Sequence, residues 1–122
     1  MKPKPLFSLP VFWMVTALPA FSHHAEPLYD LKNPTTVNGV VTRVEWSNPH
    51  AYLYVNVKND KGEVEEWSIE LDSPNSLKRN GWISNAVKTG DHVVCTGGRA
   101  KIGARTMRAI TIELADGKKL KD

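Results

Sequence analysis

Two adjacent histidines, His23 and His24, and a third at His50 are the residues of this chain best suited to ligate a metal ion. Nitrogen ligands in a planar or T-shaped set suit Cu(II), which heads the divalent affinity order. If processing leaves His23 as the first residue, its free amine and ring nitrogen chelate one ion together. A second imidazole then completes a T-shaped nitrogen set, as in histidine-brace copper sites. His50 is the candidate for that imidazole, and His24 is the local alternative. If the chain instead begins at Phe21, His23 stands third. An amine, two backbone nitrogens and an imidazole then form a square-planar Cu(II) or Ni(II) site. Copper is the one cofactor these residues suggest. The competing reading is a loose two-histidine terminus that binds copper weakly, with His50 only bracing its turn.

A second group of residues sits on paired strands. In "HAYLYVNVK" Ala51, Leu53, Val55 and Val57 alternate with His50, Tyr52, Tyr54 and Asn56, the pattern of a half-buried strand. In "VEEWSIELD" Trp67, Ile69 and Leu71 form the inward set. Pairing Val55 with Trp67 puts both apolar sets on one side and fixes the register. Tyr52 then lies opposite Glu70, and His50 opposite Asp72. Tyr52, Tyr54 and Glu70 are the candidate ligand-binding residues, since aromatic rings on such a face can stack a flat ligand. Arg79 is expected to pair with Glu70 or Asp72.

The remaining chemistry is sparse. The chain has no Ser-His-Asp signature and no glycine-rich phosphate loop. Glu45, Glu66 and Glu70 stand on strands, with no spacing that marks an acid/base pair. A barrel of this size leaves little interior for a substrate. A non-catalytic protein is expected. Cys95 is the single cysteine, so no internal disulfide can form, and in "DHVVCTG" it shares the inward face with Val93. It reads as a core residue rather than a reactive thiol. His92 opens the same strand on the outer face.

Export frames the metal reading. Lys2 and Lys4 precede an uncharged apolar run, "LFSLPVFWMVTAL", and the small pair Ala20 and Ser22 is spaced A-x-S. This is the pattern of a secretory signal peptide cut after Ser22. The run is too short to span a bilayer, which takes about 20 apolar residues. Residues 1 to 22 are thus assigned to the signal, and the mature protein is expected to be exported, with no membrane span. Those residues carry two lysines and no acid, so the net charge of +3 falls to +1 once they are removed. Nucleic acid is not an expected partner, because phosphate binding needs clustered Lys and Arg.

The elements that must position these groups follow. Residues 23 to 34 read as irregular, with Pro27 and Pro34 as breakers. Residues 35 to 122 read as one domain. "TTVNGVVTRVEW" is strand one, with Gly39 marking a bulge or bend. Strands two and three follow, as above. Ser73 caps a short helix with Pro74 in its first turn and Gly81 at its stop. A second short turn is expected from Ser84. "HVVCTGGRA" and "TMRAITIEL" are strands four and five, and "GKKLKD" reads as a solvated tail. Trp46, Trp67 and Trp82 are expected as core or barrel-end plugs. Three strands, a helix and two strands, with a bent first strand, is the order of a small all-β, five-stranded OB-like barrel. An open three-plus-two sheet is the rival.

The motifs also resemble a family. His23-His24, "WSNPH" at 46 to 50, "DSPNSL" at 72 to 77, "RNGW" at 79 to 82 and "KTGD" at 88 to 91 stand in order. This set resembles the bacterial exported family known as domain of unknown function 6152, and the likeness runs over the whole mature chain. The histidine pair is followed here by Ala25 and Glu26, where the family pattern has Ser-Phe or similar. The resemblance implies a fold and a compartment but no activity. The leading expectation is a periplasmic binding or accessory protein, with Cu(II) at His23, His24 and His50 as its sharpest form. The alternative is a protein-interaction module of the cell envelope that uses the outer face of strand two.

Overall fold

The computed structural model describes residues 2–3, 28–83 and 85–122. Strand β1 (Tyr29–Glu45) is long and serves two neighbours. Its first part pairs with β4 (His92–Ala100), and its second part pairs with β2 (Tyr52–Lys58), the two sets meeting at Gly39 and Val40. The β1–β2 register slips between Val41 and Arg43, after Gly39 rather than at it. Gly39 has another reason: a Cβ there would run into the Asn56 carbonyl of β2.

Strand β3 (Val64–Glu70) forms a hairpin with β2 in the expected register, Val55 opposite Trp67 and Tyr52 opposite Glu70. Asn59 organises the turn: its Oδ1 accepts from the N–H groups of Lys61 and Glu63, and Gly62 takes φ 77°. Strand β5 (Thr106–Leu114) pairs antiparallel with β4 and parallel with β3, where Glu70 meets Arg108. That last pairing closes the ring β1-β2-β3-β5-β4. The open sheet is therefore excluded, and the fold is a five-stranded OB-type barrel.

Helix α1 (Pro74–Arg79) lies between β3 and β4. Ser73 caps it by accepting from the Ser76 N–H at 3.3 Å, and Gly81 follows its end at φ 92°. Its apolar residues, Pro74 and Leu77, are buried. Leu53, Val55, Ile69, Leu71, Val93, Cys95, Met107 and Ile112 fill the interior with it. Each fully buried Leu or Ile among them contributes roughly 1.5–3 kcal/mol.

The structure corrects several expectations. Residues 29 to 34 are not irregular throughout, because Tyr29 and Asp30 already pair with Ala100 and Arg99. The irregularity survives as a break in pairing between Asp30 and Thr35, around Pro34, which has no N–H to donate. The "GKKLKD" segment is no solvated tail. It holds strand β6 (Lys119–Lys121), which pairs with β5 and buries Leu120. Trp67 and Trp82 are buried as expected, and the Trp82 indole N–H donates to the Lys121 carbonyl at 2.8 Å. Trp46 is not a plug: it is 41 % exposed. The turn expected from Ser84 has its first residue outside the described residues. No helix among the described residues is long and apolar enough to cross a membrane.

Candidate functional site around Glu70

Three neighbouring strands each supply one outward residue to a single row. Leu53, Ile69 and Met107 point into the barrel, so Tyr52, Glu70 and Arg108 point out, with Glu70 between the other two. Tyr29, at the start of β1, donates its phenol O–H to Glu70 Oε2 at 2.6 Å. His50 Nδ1 lies 3.3 Å from Glu70 Oε1. Arg108 Nη1 donates to the same Oε1 at 3.3 Å and to the Leu71 carbonyl at 3.1 Å. Its Nη2 reaches Asp122 Oδ2 at 3.1 Å. Asp122 in turn accepts from the Asp72 backbone N–H. One carboxylate thus gathers a phenol, an imidazole and a guanidinium.

The protonation states follow from this packing. Burial, then the bond to Glu70, raises the Tyr29 phenol well above its ordinary range, so it stays a donor. Tyr52 is also raised, by burial first and by Glu70 beside it. Burial pushes the Asp122 carboxyl up, against the pull of the Asp72 N–H and Arg108. Burial also acts to raise Asp72, but donation from Ser73 and Ser76 and the charge of Arg108 hold it below the usual range.

His50 therefore meets Glu70, not Asp72 as the extrapolated register implied. The reason is local. Ala51 donates to the Asp72 carbonyl and accepts from the Leu71 N–H, so one residue of β2's lead-in faces two of its partner. The ladder stops there, and the His50 ring leans back to Glu70. Arg79 is also reassigned: it donates to Ser76 Oγ at 2.8 Å, and Arg108 takes the carboxylates.

Tyr52, Tyr54 and Glu70 do share one face, with the two rings 6.5 Å apart at 31°. That face is largely occupied by the chain itself. The Arg43 guanidinium lies 3.7 Å from the Tyr54 ring centre, and Tyr54 donates to Glu45 at 3.2 Å. His92 is exposed and Cys95 buried, as the alternation indicated. His23 and His24 lie outside the described residues. Among the described residues, no three His, Cys, Asp or Glu side chains are grouped to hold a metal ion.

The sequence reading missed Tyr29, Arg108 and Asp122. Tyr29 stood in a segment read as irregular, and Asp122 in one read as tail. Arg108 carried a weak signal, because alternation in "TMRAITIEL" already placed it outward. What its pattern lacked was the partner, set by ring closure rather than by any hairpin.

The class of fold is now plain: a small OB-type barrel with a polar cluster on the outer face of β2, β3 and β5. The model of the family of unknown function DUF6152 matches residues 13–109, and the chain belongs to that family. No curated protein matches it. Among solved structures it is similar to a mitochondrial single-stranded DNA-binding protein from S. cerevisiae, at 12% identity and a TM-score of 0.45. That alignment covers 74% of this chain and 82% of the other.

Proposed function

We propose that this is an exported, periplasmic, non-catalytic binding protein that takes one Cu(II) ion through His23 and His50, with His24 beside them. One observation carries the reading: the Tyr29 phenol and the His50 ring meet on opposite oxygens of Glu70. Tyr29 stands six residues after His23 and five after His24. An extended chain covers up to about 3.5 Å per residue. The path from Tyr29 to His50 runs through a single carboxylate, so the histidine pair is within reach of the His50 ring. The imidazole side chain is 37% exposed. A carboxylate beside Nδ1 favours the proton there and leaves the Nε2 lone pair for a metal. Non-catalytic use fits the same cluster, because both Glu70 oxygens already hold partners.

The test is Cu(II) titration of protein that starts at His23, read by calorimetry and EPR. One ion should bind tightly with a nitrogen-rich signal. A glycine added before His23 should weaken binding strongly, because the amine leaves chelate range. His50→Ala should weaken it too, and affinity should fall on acidification, because an imidazole must be neutral to ligate. Weak binding that ignores both changes would end the copper reading. It would leave the outer face of β2 as a surface for a protein partner in the envelope.

A further inference from the structure

The side of the barrel end that carries Trp46 has a different character. A cleft of about 520 Å³ opens between the end of β1 and the loop after α1. Leu53 is buried at its floor, and Trp46 and Trp82 line it with ring centres 6.5 Å apart at 38°. Ile83, 67% exposed, adds apolar surface. Among the described residues, the charged ones that line it are Arg43 and Lys88, and no acid does. Arg43 shares its charge with Glu45 at 3.2 Å, whereas Lys88 makes no ion pair among the described residues. None of these residues belongs to the Glu70 cluster. The wall is also fastened: Gly90 and Asp91 pair through their backbones with Val41.

We infer that this cleft binds a small organic anion with a flat or short apolar body, its ring against Trp46 and Trp82 and its charge toward Lys88. Size favours a small molecule, since pockets for such ligands run from about 300 to 1,000 Å³. Charge selects the class. Apolar walls with cations and no acid among the described lining residues favour a carboxylate or sulfonate over a neutral or cationic ligand. Trp46 has a role here that barrel stability does not give it, because the packing of the barrel leaves its ring exposed.

The probe is 8-anilinonaphthalene-1-sulfonate, compared with its neutral relative N-phenyl-1-naphthylamine. In 15N-labelled protein, saturating sulfonate should move the indole N–H signals of Trp46 and Trp82 and leave that of buried Trp67 in place. Lys88→Glu, at an exposed site, should weaken the sulfonate by up to about fivefold, the upper worth of one exposed ion pair. It should leave the neutral probe unchanged. Trp46→Ala should abolish saturable binding of both without loss of the folded spectrum. Absence of saturable binding overturns the site, as does a Trp67 shift equal to the others. Equal affinity for both probes, unmoved by Lys88→Glu, overturns the anionic class. Lys88→Glu alone suffices if Trp46→Ala fails to fold.

Discussion

Arg108→Met should be among the most costly outer-face substitutions in this protein. The guanidinium makes three contacts, to Glu70 Oε1, Asp122 Oδ2 and the Leu71 carbonyl, and its side chain is 21% exposed. Its partners are better covered, with 12% of the Glu70 side chain and 6% of the Asp122 side chain exposed. Removing the cation leaves two carboxylates close together and largely out of water. Breaking a buried pair from one side costs about 3–5 kcal/mol, and partial exposure favours the low end, so about 3 kcal/mol is expected. Burial already places the folded Asp122 carboxyl above its unfolded value of 3.8. Such a group binds protons better in the fold, so its contribution to stability falls as pH rises. Without Arg108 the gap widens. The loss should therefore be largest near about pH 7 and shrink toward about pH 4.5. Urea unfolding at the two pH values measures it. Adding Glu70→Gln and Asp122→Asn should recover most of the loss, since the uncompensated charges are then gone. A loss below about 1 kcal/mol would put Arg108 among ordinary surface ion pairs and refute the reasoning, as would a loss of the same size at both pH values.

Three further outcomes follow from the packing. Trp67→Ala should cost about 3–5 kcal/mol, and Tyr54→Ala only about 1–2 for its lost Arg43 and Glu45 contacts, by denaturant unfolding; equal costs would mean the alternation is wrong. Leu120→Ala should cost about 2–4 kcal/mol while Lys119→Ala costs almost nothing, which separates a seated β6 from a tail. Burial pushes the Cys95 thiol up to about 12 from 9.0, so native protein should resist a thiol reagent that labels it on unfolding. Below pH 9.0 the thiol is protonated in both states; above it the unfolded chain ionises first, so stability should decline as pH rises from 9.0 toward about 12.

Most of the barrel was legible because its strands obey a period of two. Ala51, Leu53 and Val55 on one strand and Trp67, Ile69 and Leu71 on the next fix a register that the structure reproduces. Helix α1 announced itself through Ser73, Pro74 and Gly81, which act within one turn of chain. Strand β6 escaped because Leu120 is its one apolar residue among lysines, too little for a periodic signal. The Glu70 cluster was half legible. Tyr52 and Glu70 came from hairpin register, whereas Tyr29, Arg108 and Asp122 arrive from remote parts of the chain. Trp46 was misread because composition says that an indole is large and apolar, but not that its walls form a cleft.

The bonds around Glu70 also bear on the order of folding. They join Tyr29 to Glu70 across 41 residues, Glu70 to Arg108 across 38, and Asp72 to Asp122 across 50. Each closes a long loop, whereas the β2–β3 hairpin closes over the tight turn at Asn59–Gly62. Long closures are entropically costly until neighbouring contacts reward them. The cluster should therefore form late, after the barrel's transition state. Interactions formed that late act on the unfolding rate and leave the folding rate almost untouched. The polar seal on the outer face is then a latch in time: it sets how long a folded molecule persists before it opens.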